Sequence, residues 1–450
     1  MSKTAGFLCW RQVGSALSIV SIGAGLGACA HAPSQDHGEA KQWAVQSVGA
    51  KSTAELYADL IAPGTFQRSS SKVVNGYTVE SGSLSMPDKS DGSLVTVRGT
   101  DGSLTAIVDR QGRQGTLFVS SQGAARFVPE PDFDANIDDA VVNPNEKIGT
   151  AATLDNAEPK VIDLLMGYSQ AGVDRMGGDV NADALAKVEL VNLALRNSLV
   201  SGVSFRLVGI EVIPQDHPIT PETVNKLASL FADGIAKYEP DLIYGNFAQI
   251  VGGGVGYGQM PGRLAIGVSD APLTFAHELG HNAGSHHCND GTASYRFGYD
   301  NGKSSSLLCG WNRKLYFSNP DVKDEFGLPR GNAVTADTAR VWRENAERMS
   351  AYAHFVPKVP GRFTFTSSSY GSVAFRWQQS PRAVKYEVMG KDNVLQPYKK
   401  LGESTTPDAV LHNVASASMP YYVVAVFADG SKSGPSNIAY AKPYESLTKK

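Results

Sequence analysis

The chain is poor in the features that mark several large protein classes. It has four cysteines in 450 residues, far too few for a disulfide scaffold. Charge of one sign is also missing. The 41 Lys and Arg nearly balance the 44 Asp and Glu, the net charge is −3, and no basic cluster offers a footprint for nucleic acid. No apolar run is long enough to cross a bilayer comfortably, since Val13 to Leu26 is short for the purpose. Gly252-Gly253-Gly254 is followed by no Gly-Lys-Ser/Thr and so lacks what a phosphate loop needs. What remains, at 42% hydrophobic and 19% charged residues, is ordinary globular composition, with length for two or three domains.

Histidine is scarce too, nine in all, which makes its clustering informative. Four of the nine lie in the run His277-Glu278-Leu279-Gly280-His281-Asn282-Ala283-Gly284-Ser285-His286-His287. On a helix, residues four apart share a face, so His277 and His281 can present two imidazoles to one metal ion. Glu278 sits beside them, placed to take a proton from a water. Gly284 can adopt the positive φ that ends a helix and turns the chain back, bringing His287 in as third ligand. Three protein ligands with a fourth position open is the arrangement of a catalytic zinc, one ion per chain. A chance match to the full pattern is on the order of one in 10⁵. His286 matches no ligand position and reads as a neighbour of the site or a solvent-facing residue, with replacement of His287 as the alternative.

The flanking pattern alternates strands and helices. Val161 to Met166 reads as a buried strand, and Asn181 to Ser198 as an amphipathic helix capped by Asn181. Phe205 to Ile213 is a strand, Thr220-Pro221 starts a helix running to about Lys237, and Leu242 to Ile250 is a strand. Upstream, Thr53 to Asp139 shows short strands with turns, including the hairpin signal Asn75-Gly76. Asp91-Gly92-Ser93-Leu94, echoed at Asp101-Gly102-Ser103-Leu104, suggests successive hairpins. Asp132 to Glu158, rich in Asn, Asp and Pro, reads as a linker. Met349 falls in an apolar stripe with Val341, Trp342, Ala346 and Tyr352 and reads as core. After the stiff linker Val356-Pro357-Lys358-Val359-Pro360, Phe363 to Ala441 has only strand signals and suits a small β-sandwich. The expected fold class is α+β: a mixed twisted sheet with a metal-binding helix, preceded by a β-rich region and followed by the sandwich.

The motif resembles the zinc signature of metzincin metallopeptidases. Thr274 to Asn282 looks like the reprolysin-like branch, with further likeness at Val161 to Met166, Tyr316-Phe317-Ser318-Asn319-Pro320-Asp321 and Asp337-Thr338-Ala339-Arg340-Val341. Together these are similar to bacterial peptidyl-Asp metalloendopeptidases. The resemblance implies a zinc endopeptidase at residues 158–356, with His277, His281 and His287 as ligands and Glu278 as general base. It also implies a pro-region at 30–157, which could be removed or fold beside the enzyme and which contains no Cys to block the metal as a thiolate. The chain departs from the family where a Met-turn is expected. Leu307 or, by register, Leu308 stands there, a near volume-conserving exchange, and no Tyr follows. The strand before the metal-binding helix, within Gly256 to Ala265, would pair with a peptide substrate by strand addition. Arg263 and Arg313 are candidate partners for an acidic side chain near the cut. The segment 361–445, ending in Ser433-Gly434-Pro435-Ser436-Asn437, resembles a fibronectin type III domain, whose role fold alone does not assign.

Lys3 and Arg11 precede the short apolar stretch, and Leu26-Gly27-Ala28-Cys29 resembles a bacterial lipobox. Residues 1–29 would then be a lipoprotein signal. A lipid on Cys29 would anchor the protein to a membrane, the outer one by the Ala30 that follows; plain secretion is the alternative. Cys288 and Cys309 are the pair left over, free to bridge in an oxidising compartment, where the closed loop would be worth roughly 3 kcal/mol; a zinc-bound Cys288 is the alternative. Besides protein or peptide substrates for an exported endopeptidase, two other functions fit: a metal-containing but non-proteolytic surface adhesin, and a zinc hydrolase of small amides.

Overall fold

A computed structural model describes residues 41–42, 52–53, 64–88, 90–110, 113–131, 137–148, 159–310, 312–353, 358–380, 383–391, 393, 395–414, 418–427 and 432–442. The expected signal segment, Cys29 and most of the tether lie outside the described residues.

The first unit is a sheet of seven strands: β1 (Lys41–Gln42), β2 (Thr65–Val74), β3 (Tyr77–Ser85), β4 (Asp91–Arg98), β5 (Leu104–Arg110), β6 (Arg113–Val119) and β7 (Ala124–Pro129). They pair antiparallel in the order β1-β7-β6-β5-β4-β3-β2. Asn75 and Gly76 take φ of 50° and 86°, the two left-handed residues that a tight hairpin between twisted strands requires. The Asp-Gly-Ser-Leu echo has no such counterpart. Asp101-Gly102 forms the β4–β5 turn, whereas Asp91-Gly92 already belongs to β4.

The second sheet mixes β8 (Ala140–Val142), β9 (Lys160–Ser169), β10 (Val203–Ile213), β12 (Leu242–Phe247), β14 (Gly256–Met260) and β15 (Leu264–Val268) in the order β10-β9-β12-β15-β14-β8. A small parallel pair, β11 (Pro218–Ile219) with β13 (Gln249–Ile250), lies outside it. β10, β9, β12 and β15 run parallel, and β9 and β12 are buried along nearly their whole length, as expected for central strands covered on both faces. β14 is antiparallel to β15, and β8 runs parallel to β14. The stretch read as a linker therefore supplies the last strand of this sheet.

The described helices are α1 (Gln170–Met176), α2 (Val180–Asn197), α3 (Pro221–Leu230), α4 (Ala232–Tyr238), α5 (Pro272–Ala283) and α6 (Thr338–Met349). Two expectations need correction. α2 is capped by Asp179, whose carboxylate accepts from the Asn181 and Ala182 amides, so Asn181 is already inside the helix. The single helix expected from Thr220 to Lys237 is broken at Phe231 (φ −113°, ψ 37°). Phe231 is fully buried against Phe247, and its ring fills the space a side chain at Gly167 of β9 would need, so packing overrides local helix preference.

α2 joins the two sheets. Val79, Val95, Val97 and Ile107 of the first sheet share one core with Leu190, Val191, Ile162, Leu164 and Met166. Several polar residues of the helix are buried too, and they find partners. Glu189 accepts from the Ser81 hydroxyl at 2.6 Å and pairs with Lys72 at 2.7 Å. Lys187 reaches Asp183 at 2.9 Å and the Ser269 carbonyl at 2.7 Å. The other face of the first sheet builds a separate cluster around Leu84, Leu94, Leu104 and Val108.

Two short pairs follow α5: β16 (His286–Cys288) with β17 (Phe297–Gly298), and β18 (Asn319–Lys323) with β19 (Pro329–Arg330). The C-terminal strands are β20 (Thr364–Ser369), β21 (Ser372–Arg376), β22 (Ala383–Gly390), β23 (Lys399–Ser404), β24 (Asp408–His412), β25 (Pro420–Phe427) and β26 (Ala439–Tyr440). They form sheets β20-β21-β24 and β23-β22-β25-β26, with Phe363, Phe375, Trp377, Tyr386 and Tyr421 between them. This is a β-sandwich with its own core.

Candidate metal centre

α5 carries the histidine motif and is buried along its whole length. Pro272 occupies its first turn, and the Glu130 carboxyl group accepts from the Leu273 and Thr274 amides at 3.2 and 3.0 Å, answering two of the free donors at the helix start. Gly284 ends the helix at φ 112°, as its position in the motif requires, and its amide bonds back to the His281 carbonyl.

The turn brings three imidazoles to one point. His277 and His281 Nε2 are 3.1 Å apart, and each lies 3.2 or 3.1 Å from His287 Nε2. Their tautomers follow from their second nitrogens. His277 Nδ1 donates to the Leu307 carbonyl at 2.7 Å, and His281 Nδ1 donates to the Ser285 carbonyl at 2.8 Å. Both Nε2 atoms are therefore lone pairs aimed inward. Burial also pushes His277 down to about 4, so it is neutral at physiological pH, as a metal ligand must be. Lone pairs this close repel one another unless a cation sits between them. An ion about 2.0 Å from each would set them about 3.3 Å apart, close to the observed spacing.

A fourth donor completes the group. Asp139, immediately before β8, points its carboxylate at the same spot, with Oδ1 2.7 Å from His287 Nε2 and 3.0 Å from His281 Nε2, and Oδ2 3.4 Å from His277 Nε2. Only 2% of Asp139 is exposed. Asp139, His277, His281 and His287 are a group able to hold a metal ion. Sequence reasoning missed Asp139. It lies in an Asn/Asp/Pro-rich stretch with no ligand spacing to expose it.

Glu278 is fully buried, and neither carboxylate oxygen has a hydrogen-bond partner among the described residues. Burial, helped by the Asp139 charge, pushes its pKa well above the ordinary value. Room for it comes from β14. A side chain at Gly256 would fall 2.4 Å from Glu278 Oε1, and one at Gly258 would fall 2.7 Å from the Glu278 carbonyl. The glycines of this run thus admit a carboxylate rather than cradle a phosphate.

Beneath the histidines the two leucines divide their roles. The Leu307 carbonyl orients His277, while the Leu308 side chain lies where a side chain on Gly280 of α5 would reach. Cys288 and Cys309 form the disulfide, with Cα atoms 4.6 Å apart, so Cys288 is not a ligand. His286 stacks on Phe297 at 5.0 Å and stays out of the metal group. Arg263 donates to the Pro240 carbonyl and lies over Tyr352. Arg313 is buried within electrostatic reach of Glu130, Asp139 and Glu278.

No protein-family model matches the sequence, and no curated protein matches it. Among solved structures, a chaperone–substrate complex is similar over 58% of this chain at 19% identity with a TM-score of 0.38, and the match spans 42% of that chain. A Fn3-like protein from Clostridium thermocellum matches 20% of this chain with 97% of its own length, at 23% identity and a TM-score of 0.18. The fibronectin type III domain of a human fibronectin type III domain-containing protein matches 22% with 99% of its own, at 16% identity and a TM-score of 0.18. None of these likenesses bears on function.

Proposed function

We propose that the chain is an exported zinc endopeptidase, of the metzincin kind its motif resembles. One observation carries the reading: three inward-facing imidazole nitrogens stand beside a buried carboxylate, Glu278, that has no hydrogen-bond partner among the described residues. Three imidazoles with an oxygen donor suit Zn²⁺ among the common divalent ions. When bound, the ion supplies Lewis-acid polarisation of a carbonyl and lowers the pKa of water. Glu278 takes the proton of the attacking water and passes it to the departing amine. The Cys288–Cys309 bridge supports an oxidising compartment, in keeping with export and with a lipid on Cys29 or plain secretion.

A second reading, a metal-stabilised surface adhesin, gains support from Asp139, which completes a closed set of four ligands of structural type. Casein digestion by metal-loaded chains separates the two. We expect Asp139→Ala to cleave casein, and Asp139→Ala with Glu278→Gln to keep its metal and lose at least about 10³-fold in rate. A metal-loaded Asp139→Ala chain that cleaves nothing, or cleavage that survives Glu278→Gln, would defeat the peptidase.

A further inference from the structure

We propose that Tyr244 is a positioning residue behind Glu278, and that it acts through a water held in a buried recess between them. The inference rests on the peptidase reading for what Glu278 does with its proton. Both side chains are fully buried, and neither the Tyr244 hydroxyl nor either Glu278 oxygen has a hydrogen-bond partner among the described residues. A buried hydroxyl or carboxylate left unmet is costly, so two of them in one place call for a shared partner. Their meeting place is set by two glycines. Gly256 of β14 stands opposite Gly267 of β15. Opposite residues of an antiparallel pair present their side chains on one face, with Cβ atoms about 4.5–5.5 Å apart. A side chain at Gly256 would collide with Glu278 Oε1, and one at Gly267 would collide with the Tyr244 hydroxyl. With glycine at both positions, the carboxylate from α5 and the phenol from β12 reach into the same recess.

The surroundings suit one water. The Thr274 methyl group borders the Gly256 position, and the Phe275 ring meets the Tyr244 ring edge-on at 4.7 Å, so these walls are apolar. A third polar group is the Val255 carbonyl. It accepts from the Val268 amide, keeps a second lone pair, and lies 3.3 Å from the place of a Gly267 side chain. A water there can accept from the Tyr244 hydroxyl and donate to Glu278 Oε1 and to the Val255 carbonyl, the three bonds typical of an internal water. Such a bridge fixes one oxygen of the carboxylate. The other, Oε2, lies 3.1 Å from the place of a side chain at Gly258, whose amide meets the Asp139 carbonyl, and so is on the side of the metal group. That oxygen is left to take the proton of the attacking water, while the bridge holds the carboxylate in place.

Tyr244→Phe in the metal-loaded full chain tests the bridge without needing catalysis. Removing a buried hydroxyl that nothing meets leaves the fold as stable or more so, whereas removing one that holds a bridge costs stability. We expect the Tm of the metal-releasing transition to fall by about 2–4 °C, and an equal or higher Tm would overturn the bridge. A crystal structure of the wild-type chain should show a water within hydrogen-bond distance of the Tyr244 hydroxyl and Glu278 Oε1, and a recess that lacks one would do the same. Casein cleavage by Asp139→Ala, with and without Tyr244→Phe, then reads the positioning role. We expect kcat to fall about tenfold or more with KM and metal content unchanged, a split that a general loosening of the fold does not produce. An unchanged kcat would overturn that role. Should neither chain cleave casein, the peptidase reading falls, and the Tm and the water still decide whether Tyr244 is bridged to Glu278.

Discussion

The N-terminal sheet and the C-terminal sandwich are both all-β, both without cysteine among their described residues, and both attached to the unit that carries the metal site; their relation to that unit is opposite. The sandwich closes its aromatic core on itself through Phe363, Phe375, Trp377 and Tyr421. The N-terminal sheet turns Val79, Val95, Val97 and Ile107 into the core of α2 and answers the buried Glu189 with Ser81 and Lys72. Just after its last strand, Glu130 meets the first amides of α5. Strand patterns alone do not separate these cases. What separates them is whether the neighbouring element carries buried polar groups that the sheet helps to satisfy.

The same substitution in each region tests this difference most severely. Val95→Asp and Val423→Asp each bury an unpaired carboxylate, at a cost of several kcal/mol. We expect Val95→Asp to abolish metal binding, because its core is the core of the site. Val423→Asp should unfold the sandwich and leave one metal per chain. Metal stoichiometry beside calorimetry distinguishes them. Full metal binding in Val95→Asp would mean that the sheet is a removable cover, and the contrast between the regions would collapse. A smaller effect comes from the crosslink that serves the site alone. Removing it as Cys288→Ala with Cys309→Ala should cost about 3 kcal/mol. The loss should appear in the transition that releases the metal and leave the sandwich's transition unmoved, and a shift in both would show that the two regions unfold together.

The legible parts of this molecule are those whose partners are close in sequence. His277, His281, Gly284 and His287 are set by one helix and its cap, and Asn75-Gly76 by one turn, so spacing sufficed. Cys288 and Cys309 are the pair that remains once Cys9 and Cys29 are assigned to the expected signal segment and lipid site. Asp139 is 142 residues from His281, and nothing near it in the chain records that contact. Phe231 breaks its helix because of a ring pocket over Gly167 on another strand, again a distant cause. Leu307 and Leu308 lay between these cases: the register located the floor under the metal, but only the structure showed that one contributes a carbonyl and the other a side chain.

Glu130 offers the finest test of what the N-terminal region contributes. Burial raises its pKa from 4.5 to about 7, although Arg313 and the Thr274 and Leu273 amides pull it down. The folded state therefore binds this proton more tightly than the unfolded chain does. Its stabilising contribution is complete below about pH 4.5 and is lost as pH rises through about 7. Wild-type Tm should fall between pH 5 and pH 8 by about 2–4 °C more than the Tm of Glu130→Gln, which cannot titrate but still offers an acceptor to the helix amides. Titration of the histidines is common to both proteins and cancels in the difference. Parallel Tm curves would mean that Glu130 is as well solvated as an exposed carboxylate, and that the sheet's grip on the start of α5 is looser than its geometry implies.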